Sequence, residues 1–516
     1  MKALPLRTPR SPPLIAGLLG ASLALAGCSS LPPLTTRASS YALEDTANTK
    51  LGQAIAPEAG RHPGLSGVEA LTDGRVAFGF RVALSRAAAR SIDIQTYIWK
   101  PDETGTLLIE EMLRAAERGV RVRLLLDDIT TQGMDPILAL LEAQPNIEVR
   151  LYNPFVGRGS RALGMLGDFG RLNRRMHNKS FTVDNQVSIV GGRNLADEYF
   201  EAGGELNFAD VDVMVVGAVV PAVSGEFDLY WNSASAYPAR LLIEAGLALG
   251  RAEFAQRAEA LIAANARKYA DAIARTPQGQ ALLARELAFE WTTARVVHDD
   301  PDKTLGASDD GDLLLSRLMT AFGSPATHFD LVSPYFVPGE HGTEALAALA
   351  GRGVRVRVLT NSLAASDQAW VHSGYERRRV ALLRAGVDLY ESKPGAAPIK
   401  ARAAEIGSHS KSGLHAKTFA VDQRSVFVGS FNFDPRSAKL NTEMGLVIDS
   451  APLSRRLSAM FDTASPSLAY RVTLAANGAL QWHDGPDRTL DKEPEASWGQ
   501  RAMARFCSWL PIEWLL

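Results

Sequence analysis

One motif occurs twice in this chain, and this repetition constrains the fold more than any other feature. Both copies read His-x-Lys-x-x-x-x-Asp, and each is followed by an apolar run and a glycine-containing turn that ends in asparagine. The motif residues and the turn asparagines are His177, Lys179, Asp184 and Asn194 in the first copy, and His415, Lys417, Asp422 and Asn432 in the second. The two histidines are 238 positions apart, and so are the two asparagines. A constant offset across separate elements indicates a duplication, which predicts a fold of two similar halves.

Each half also shows the same order of strand, helix and strand. The predicted elements are a strand at 91–99, a helix at 104–118 and a strand at 118–126 in the first half, and the corresponding elements at 328–336, 342–352 and 352–359 in the second. The second strand opens with Arg-Gly-Val-Arg-Val-Arg in both halves. Glycine there suits the end of a helix, and alternating valine and arginine is typical of a strand with one buried face. The expected fold class is therefore α/β, with a sheet flanked by helices in each half.

The length of 516 residues favours two or three domains. Between the two halves, apolar residues recur every three or four positions from Phe254 to Ile273, which predicts a helical insertion. The segment before the first half is rich in Ser, Thr, Pro and Ala, which is typical of a flexible tether. The predicted divisions are a signal peptide (1–27), a tether (28–60), domain 1 (61–236), the helical insertion (237–305), domain 2 (306–475) and a C-terminal extension (476–516).

The first residues have the composition of an export signal. A basic start is followed by a short apolar stretch, 14–26, which is too short to span a bilayer and is typical of a signal peptide. The stretch ends in Leu-Ala-Gly-Cys, which resembles the lipobox of bacterial lipoproteins and predicts lipidation of Cys28. The expected location is a lipid anchor on the outer face of the cytoplasmic membrane or, favoured by Ser29, in the outer membrane facing the periplasm. A secretory signal with an incidental cysteine is the alternative.

Histidine and lysine in this arrangement are suited to breaking a phosphodiester bond without a metal. One imidazole can attack phosphorus and a second can protonate the leaving oxygen, while the lysine charge holds the phosphate oxygens. A single motif supplies only one histidine, so both copies are required. The adjacent Asp127 and Asp128 lack further ligands at a metal-binding spacing, and we expect no metal ion or other cofactor.

Further residues are candidates for binding phosphate and for orienting the histidines. The expected phosphate ligands are Asn194, Asn432, Arg193 and Ser430. A histidine that acts as a base or an acid is commonly oriented by a carboxylate. Asp210 is the candidate in the first half, with Asp212 as the competing choice, and Glu443 is its counterpart in the second half. Asp184 and Asp422 are counted with the catalytic motif and are expected to organise loops by hydrogen bonding.

The paired motifs resemble those of the phospholipase D superfamily. That resemblance implies two halves packed about a pseudo-twofold axis, with the site at their junction. The first turn reads Gly-Gly-Arg-Asn where the superfamily has Gly-Ser-x-Asn. Longer strings are similar to the cardiolipin synthase C type of bacterial phospholipase D-like proteins: YIW (97–99), RGVRVRLLLDD (118–128), RLNRRMHNKSFTVD (171–184), VGGRN (190–194), GSFNFDPRS (429–437) and NTEMG (441–445). This resemblance implies transfer of a phosphatidyl group between glycerophospholipids, with phosphatidylglycerol and phosphatidylethanolamine as substrates.

The leading hypothesis is a membrane-associated phosphatidyltransferase that makes cardiolipin through a phosphohistidine intermediate. In this hypothesis His177 attacks the donor phosphate and His415 protonates the head-group alcohol, although pseudosymmetry also permits the reverse assignment. The alternatives are a phospholipase D that hydrolyses phospholipids to phosphatidic acid, a nuclease, and a non-catalytic lipid-binding lipoprotein. A formal net charge of −2 disfavours nucleic acid as a partner. Membrane phospholipids are the expected partners, and a small partner protein is left open.

Overall fold

The computed structural model describes residues 30–202, 206–284, 288–395, 411–463 and 465–516. Cys28, the predicted lipidation site, lies outside the described residues. Within them, most strands belong to two large sheets, one in each half of the duplicated sequence.

In the described part of the first half, nine strands form one sheet. They are β1 (Ser66–Leu71), β2 (Ser91–Thr96), β3 (Arg121–Asp127), β4 (Ile147–Tyr152), β5 (Ser180–Val183), β6 (Val187–Gly191), β8 (Asp212–Gly217), β9 (Ala236–Pro238) and β10 (Glu290–Thr292). Their order across the sheet is β10-β1-β8-β6-β5-β2-β3-β4-β9. The strand β7 (Leu206–Ala209) lies outside this sheet and pairs with a strand of the second half.

The second sheet has ten strands among the described residues. They are β11 (Ala294–His298), β12 (His328–Val332), β13 (Arg355–Asn361), β14 (Asp388–Ser392), β16 (Thr418–Val421), β17 (Ser425–Gly429), β18 (Met444–Ile448), β19 (Ala469–Leu474), β20 (Leu480–Asp484) and β21 (Arg488–Leu490). Their order is β11-β18-β17-β16-β12-β13-β14-β19-β20-β21. The remaining strand, β15 (Lys411–Leu414), is the parallel partner of β7.

Helices flank both sheets. They are α1 (Lys50–Arg61), α2 (Gly74–Ala87), α3 (Glu103–Glu117), α4 (Asp135–Glu142), α5 (Arg161–Gly167), α6 (Phe169–Leu172), α7 (Val220–Trp231), α8 (Arg251–Ala274), α9 (Pro277–Ala284), α10 (Leu314–Phe322), α11 (Gly339–Gly351), α12 (Ala369–Arg384), α13 (Pro435–Lys439), α14 (Ala451–Thr463), α15 (Ser465–Leu468) and α16 (Trp498–Trp509). A search of the described residues finds no helix with the length and apolar character needed to cross a membrane.

The two sheets share one strand order. The run β8-β6-β5-β2-β3-β4 of the first sheet matches the run β18-β17-β16-β12-β13-β14 of the second. In both runs the last three strands are parallel to one another, and the others pair antiparallel. This match confirms the expected α/β fold class with two similar domains.

An ion pair of the same geometry joins two central strands in each sheet. Arg123 on β3 binds Asp93 on β2 through Nε–Oδ1 at 2.7 Å and Nη2–Oδ2 at 2.8 Å. Arg357 on β13 binds Asp330 on β12 through the same atoms at 2.6 and 2.8 Å. All four residues are buried, and the two-point contact satisfies charges that would be costly to bury alone. The alternation of valine and arginine therefore reflects strands whose arginines lie on one face.

The motif aspartates tie the end of one strand to the start of another. Asp184 follows β5 and accepts hydrogen bonds from the backbone N–H groups of residues 89–91 at 2.7–3.2 Å. Asp422 follows β16 and accepts them from the N–H groups of residues 326–328 at 2.7–3.1 Å. Both aspartates have positive φ, 51° and 52°, which aspartate tolerates in turns. The two carboxylates therefore organise equivalent loops in the two domains.

The segment predicted as a helical insertion, 237–305, is only partly helical. Its two helices form as expected, and α8 packs on α2 and α3 of the first domain. The residues that follow form β10, which pairs with β1 of the first sheet, and β11, which pairs with β18 of the second. The edge strands β1 and β18 carry backbone N–H and C=O groups that need hydrogen-bond partners, and β10 and β11 supply them. The helical periodicity of the sequence does not reveal this pairing.

The predicted tether, 28–60, and the predicted extension, 476–516, pack on the domains where they are described. Arg37 donates to the carbonyl oxygens of Asn232 and Ala236 at 2.8 and 2.9 Å, which holds the segment before α1 on the first domain. In the extension, β20 and β21 continue the second sheet, and α16 packs against α12. The composition of 28–60 predicted a flexible tether, but the contacts of Arg37 show that polar side chains can also dock a segment.

A layer of apolar side chains joins the two domains. The layer consists mainly of branched residues from β6 and β8 on one side and β17 and β18 on the other: Val190, Val213, Val215, Val426, Val428, Leu446 and Ile448. Each of these side chains is at most 3% exposed. Apolar burial contributes about 25 cal/mol per Å², so the domains are held together by a continuous core. Any site at their junction is thereby held in place from both sides.

We expect Asp184→Asn to lower the free energy of unfolding by about 1–3 kcal/mol, because an amide replaces one acceptor oxygen with a donor that faces backbone N–H groups. Denaturant unfolding of the purified protein measures this change. Asp487→Asn, in an exposed turn, is the matched control and should leave the unfolding free energy within about 0.5 kcal/mol of the original. Equal stability of the two variants would contradict the anchoring role.

Candidate active site

Each motif segment hydrogen bonds to the other domain. The His177 N–H donates to Thr442 O at 2.9 Å, and the His415 N–H donates to Ala209 O at 2.8 Å. The parallel pair of β7 and β15 adds a second connection, and β15 leads directly into His415. The backbone of each histidine is therefore positioned by the segment of the opposite domain that carries a candidate carboxylate.

The two histidines exchange carboxylate partners across the domain junction. His177 Nδ1 lies 2.8 Å from Glu443 Oε2, and His415 Nδ1 lies 2.6 Å from Asp210 Oδ2. Both carboxylates were candidates from the sequence, and each does bond a histidine. The sequence placed each carboxylate with the histidine of its own half, and that pairing is wrong. The segments cross between the domains, which motif order along the chain does not show. Because Nδ1 is bonded to a carboxylate, Nε2 is the nitrogen left for chemistry.

Both imidazoles are buried, which disfavours their charged form. Burial lowers the pKa of His177 to about 4, although the charge of Glu443 opposes this effect. Burial, and next the charge of Lys417, lower the pKa of His415 well below its ordinary value. A neutral imidazole has a free lone pair at Nε2, which a nucleophile or a general base requires.

The motif lysines lie beside both histidines. Lys179 Nζ donates to His177 O at 2.5 Å, and Lys417 Nζ donates to His415 O at 2.6 Å. Burial lowers the pKa of Lys179 to about 7 and that of Lys417 to about 8. The charges of both lysines act on both imidazoles, which shows that the two motifs form one site. An anion that entered this site would meet two desolvated ammonium groups.

A network of hydroxyl groups holds Glu443. The Ser430 hydroxyl donates to Glu443 Oε2, and the Ser437 hydroxyl donates to Oε1 at 2.7 Å. Asp299 accepts the Glu443 backbone N–H at 2.8 Å. Burial alone would raise the pKa of Glu443, but His177 and the other hydrogen-bonding and charged neighbours outweigh it and lower the pKa. Ser430 was predicted to bind phosphate, and this is corrected because its hydroxyl is already bonded to the carboxylate.

Sequence reasoning did not find Ser437 and Asp299. Ser437 lies in the string GSFNFDPRS, where its position after the second turn was an available signal. Asp299 lies in a distant loop between β11 and α10, and no sequence pattern indicates its proximity to Glu443.

Asp210 occupies space that a side chain at position 192 would need. A Cβ on Gly192 would lie 2.4 Å from Asp210 Oδ1. Position 192 is the counterpart of Ser430, so the missing hydroxyl in the first turn has a steric cause. Asp210 instead accepts the backbone N–H of Val211 at 2.8 Å. Burial raises the pKa of Asp210, and the charge of Lys417 opposes this.

Arg193 was predicted to bind phosphate, and the structure does not support this role. Its guanidinium is buried and donates to Leu71 O at 2.8 Å and to Tyr199 O at 3.1 Å. It also pairs with Asp212 at 3.4 Å. Asp212, the competing orienting carboxylate, binds Arg81 at 2.9 Å and, within the described part of the chain, bonds no histidine. Both residues therefore stabilise the turn behind the site.

The turn asparagines differ in their bonding. Asn194 Oδ1 accepts the Ile98 N–H at 3.2 Å, and the Asn194 side chain also bonds the Tyr199 hydroxyl. Asn432 is buried, and its Oδ1 has no partner within the described residues. A buried amide oxygen without a partner is unusual and indicates an acceptor that a hydroxyl of a ligand could satisfy. The predicted phosphate contact of Asn432 would have to come from Nδ2, because a phosphate oxygen needs a donor.

Asp184 and Asp422 lie away from the imidazoles. In the first domain the whole of β5, four residues, separates Asp184 from Lys179. At about 3.3 Å per residue this places the carboxylate more than 10 Å along the strand from the site. Both aspartates therefore organise loops through their backbone hydrogen bonds, as expected from the sequence, and neither is a reacting group of the site.

Aromatic rings line the histidines, and sequence reasoning missed their role. The Tyr97 ring meets His177 edge-on at a centroid distance of 5.0 Å. Tyr199 and Phe208 contact His415 at 5.0 and 5.2 Å. These rings restrict water around the imidazoles, which strengthens electrostatic interactions there. Tyr97 lies within the strand predicted at 91–99, which was a usable signal, whereas Tyr199 is adjacent to no motif.

The arrangement supplies the groups for nucleophilic substitution at phosphorus. Two neutral imidazoles present Nε2, two carboxylates stabilise positive charge at Nδ1, and two ammonium groups can bind the phosphate oxygens. Among the residues that the structure describes, no cluster of His, Cys, Asp or Glu has the arrangement of a metal site. Asp127, considered as a ligand from the sequence, binds Arg175 and the Met176 N–H.

Comparisons with known proteins agree with this geometry. The family model described as "Cardiolipin synthase, PLD-like domain" matches residues 82–231 and 318–464. The chain is 44% identical over 477 residues to cardiolipin synthase C of Escherichia coli (strain K12), which covers 90% of this chain and 100% of that protein. It is 32% identical over 470 residues to an uncharacterized protein of Helicobacter pylori (strain 26695), which covers 89% of this chain and 88% of that protein.

The crystal structure of phosphatidylserine synthase from Haemophilus influenzae Rd KW20 has the same fold. Its TM-score is 0.57 at 14% identity, and the match covers 90% of this chain and 100% of that chain. Each segment matched by the family model contains one histidine–lysine motif, and the structure brings these motifs together in one site. The chain therefore belongs to the cardiolipin synthase family of phospholipase D-like proteins.

Proposed function

We propose that the protein is a membrane-associated phosphatidyltransferase that makes cardiolipin from two glycerophospholipids through a phosphohistidine intermediate. Phosphatidylethanolamine and phosphatidylglycerol are the proposed substrates. The observation that carries the proposal is the reciprocal bonding of His177 to Glu443 and of His415 to Asp210, with both lysines beside them. The similarity to cardiolipin synthase C supports this choice of substrate class.

In the first step, Nε2 of His177 attacks the phosphorus of the donor lipid. A phosphorus–nitrogen bond forms as the bond from phosphorus to the head-group oxygen breaks. His415, in its protonated form, gives its Nε2 proton to the departing alcohol. The donor phosphate is itself anionic, and its charge near His415 favours protonation, which Asp210 stabilises from Nδ1.

In the second step, the hydroxyl group of the acceptor lipid replaces the histidine. Neutral His415 takes the hydroxyl proton, the new phosphorus–oxygen bond forms, and the bond to His177 breaks. Lys179, Lys417 and Asn432 hold the phosphate oxygens throughout. Glu443 stabilises the positive charge on the phosphorylated imidazole, because its hydroxyl partners keep the carboxylate ionised and oriented.

The same intermediate could be captured by water, which would release phosphatidic acid. Two observations favour transfer: the side chains of His177 and His415 are only 10% and 7% exposed, and aromatic rings cover both. Exclusion of water protects a reactive intermediate until the acceptor arrives. A nuclease is less consistent with the net charge of the chain.

Analysis of lipid products tests the proposed function directly. The purified protein is incubated with labelled phosphatidylglycerol, with and without phosphatidylethanolamine. Formation of cardiolipin identifies a transferase, and the label distribution identifies the donor. Phosphatidic acid as the only product would identify a hydrolase, and no lipid turnover would contradict both activities.

His177→Asn and His415→Asn should each lower kcat by about 10⁴-fold or more, because each histidine has a role that its partner cannot supply at the same moment. His341→Asn, at a highly exposed position, is the matched control and should retain full activity. Protein quenched in alkaline denaturant, in which the phosphorus–nitrogen bond survives, should contain phosphohistidine in the original chain and none in His177→Asn. Substantial turnover by both variants would refute the two-histidine mechanism.

Glu443→Gln and Asp210→Asn should each lower kcat by about 10²–10⁴-fold and shift opposite limbs of the pH profile. Loss of the Glu443 charge lowers the pKa of His177, which must be neutral to attack, so the acid limb moves to lower pH. Loss of the Asp210 charge lowers the pKa of His415, which must be protonated, so the alkaline limb moves to lower pH. The pH dependence of kcat/KM measures both shifts. Interchanged limbs would make His415 the nucleophile.

We further propose that an acyl chain on Cys28 anchors the protein, with the outer membrane as the favoured location. The apolar stretch before Cys28 and the lipobox-like tetrapeptide support this proposal. Cys28→Ser should reduce the membrane-bound fraction after high-salt washing and abolish labelling by a fatty-acid analogue. Cys507→Ser is the matched control and should change neither. Continued labelling of Cys28→Ser would refute lipidation at this residue.

A further inference from the structure

An apolar surface extends along one face of α16. Trp498 and Trp509, at the two ends of this helix, are 80% and 77% exposed, and Phe506 is exposed between them. The opposite face is buried through Ala504 and Cys507. Large aromatic side chains are uncommon on open protein surfaces, and several on one helix face mark an interaction site.

This helix is mounted rigidly on the second domain. It packs on α12, and the residues after it are held to the same helix by two arginines. Arg378 binds Glu513 at 2.7 Å, and Arg377 donates to Leu510 O at 2.8 Å. Trp514, in this bound segment, is also exposed. The aromatic face is therefore presented by a fixed element.

A second apolar surface lies on α5 of the first domain. Leu166 is 83% exposed and Leu163 is also exposed, and Phe169 at the start of α6 is exposed beside them in the sequence. Arg436 joins the segments that follow the two helices. It donates to Asn173, the residue after α6, at 2.7 and 2.9 Å, and to Leu515 O, in the segment after α16, at 3.2 Å.

Arg436 in turn lies at the edge of the candidate active site. Its charge acts on Tyr97, whose ring contacts His177. Arg436 therefore connects the segments that follow α6 and α16 to the residues around His177.

We propose that α16 with its C-terminal segment, and α5, form a docking surface for a lipid bilayer that brings the active site to its substrate; this inference rests on the proposed function. Tryptophan is favoured at the interface between head groups and acyl chains. The α16 sequence contains Arg501 and Arg505 and no carboxylate, which complements anionic head groups. A phospholipid substrate also requires the active site to be accessible from the membrane that holds it. The occupant that these observations favour is therefore an anionic bilayer.

Vesicle binding tests the surface separately from catalysis. All proteins carry Cys28→Ser, so that no acyl chain contributes to binding. One variant combines Trp498→Gln, Phe506→Gln and Trp509→Gln, and a second combines Leu163→Gln and Leu166→Gln. The matched control combines Leu247→Gln and Met319→Gln, which are exposed apolar residues on other surfaces. Sedimentation with vesicles of phosphatidylglycerol and phosphatidylethanolamine measures binding.

Each docking variant should bind vesicles at least about tenfold more weakly than the parent, and the control should bind equally. Turnover of vesicle lipids should fall in parallel, while turnover of a short-chain phosphatidylglycerol below its micelle concentration should be retained. Brominated lipids should quench tryptophan fluorescence in the parent and less in the α16 variant. Unchanged vesicle binding by both variants would overturn the docking surface. Binding by the parent without turnover of any lipid would support the surface and refute the proposed function.

Discussion

The bonds between each imidazole and a carboxylate of the opposite domain are the interaction on which the site depends. Neither domain alone contains a histidine with its carboxylate partner, because His177 bonds Glu443 and His415 bonds Asp210. Each of these groups is buried, and a buried carboxylate without its partner would be strongly destabilised. The active site therefore forms only when the two domains pack together. The valine-rich core between the sheets holds them in that arrangement.

The two halves have kept one framework while their carboxylates are supported differently. In the second domain, Ser430 and Ser437 bond Glu443. In the first, Gly192 leaves no hydroxyl, and the shorter Asp210 lies directly against the turn. Burial raises the pKa of Asp210, whereas at Glu443 the charge of His177, assisted by Lys179 and the Ser430 hydroxyl, outweighs burial and lowers the pKa. This asymmetry offers a physical basis for different roles of the two histidines in a pseudosymmetric site.

Burial also explains how lysine serves this chemistry. The lysine ammonium groups have lowered pKa values because water is largely excluded, and an anionic phosphate would restore the lost stabilisation of their charge. A site of this kind is matched to a phosphodiester and poorly matched to a neutral ligand. The exposed aromatic face of α16 and the leucines of α5 are the surfaces proposed to dock on a bilayer. Such docking suits this chemistry, because a phospholipid must move from a bilayer into the site.

The sequence by itself determined the duplication, the α/β class and the histidines, lysines and carboxylates of the site, because strand periodicity and motif spacing are local properties. It did not determine that the carboxylates are exchanged between domains, nor that Arg193 and Ser430 are fully bonded elsewhere. Those outcomes depend on tertiary packing: the histidine–carboxylate pairs join residues 266 and 205 positions apart, and no local pattern shows which groups Ser430 and Arg193 will meet. The same reason explains why 237–305 contributes strands to both sheets: an edge strand acquires its partner only when the domains pack, so tertiary structure alone decides it.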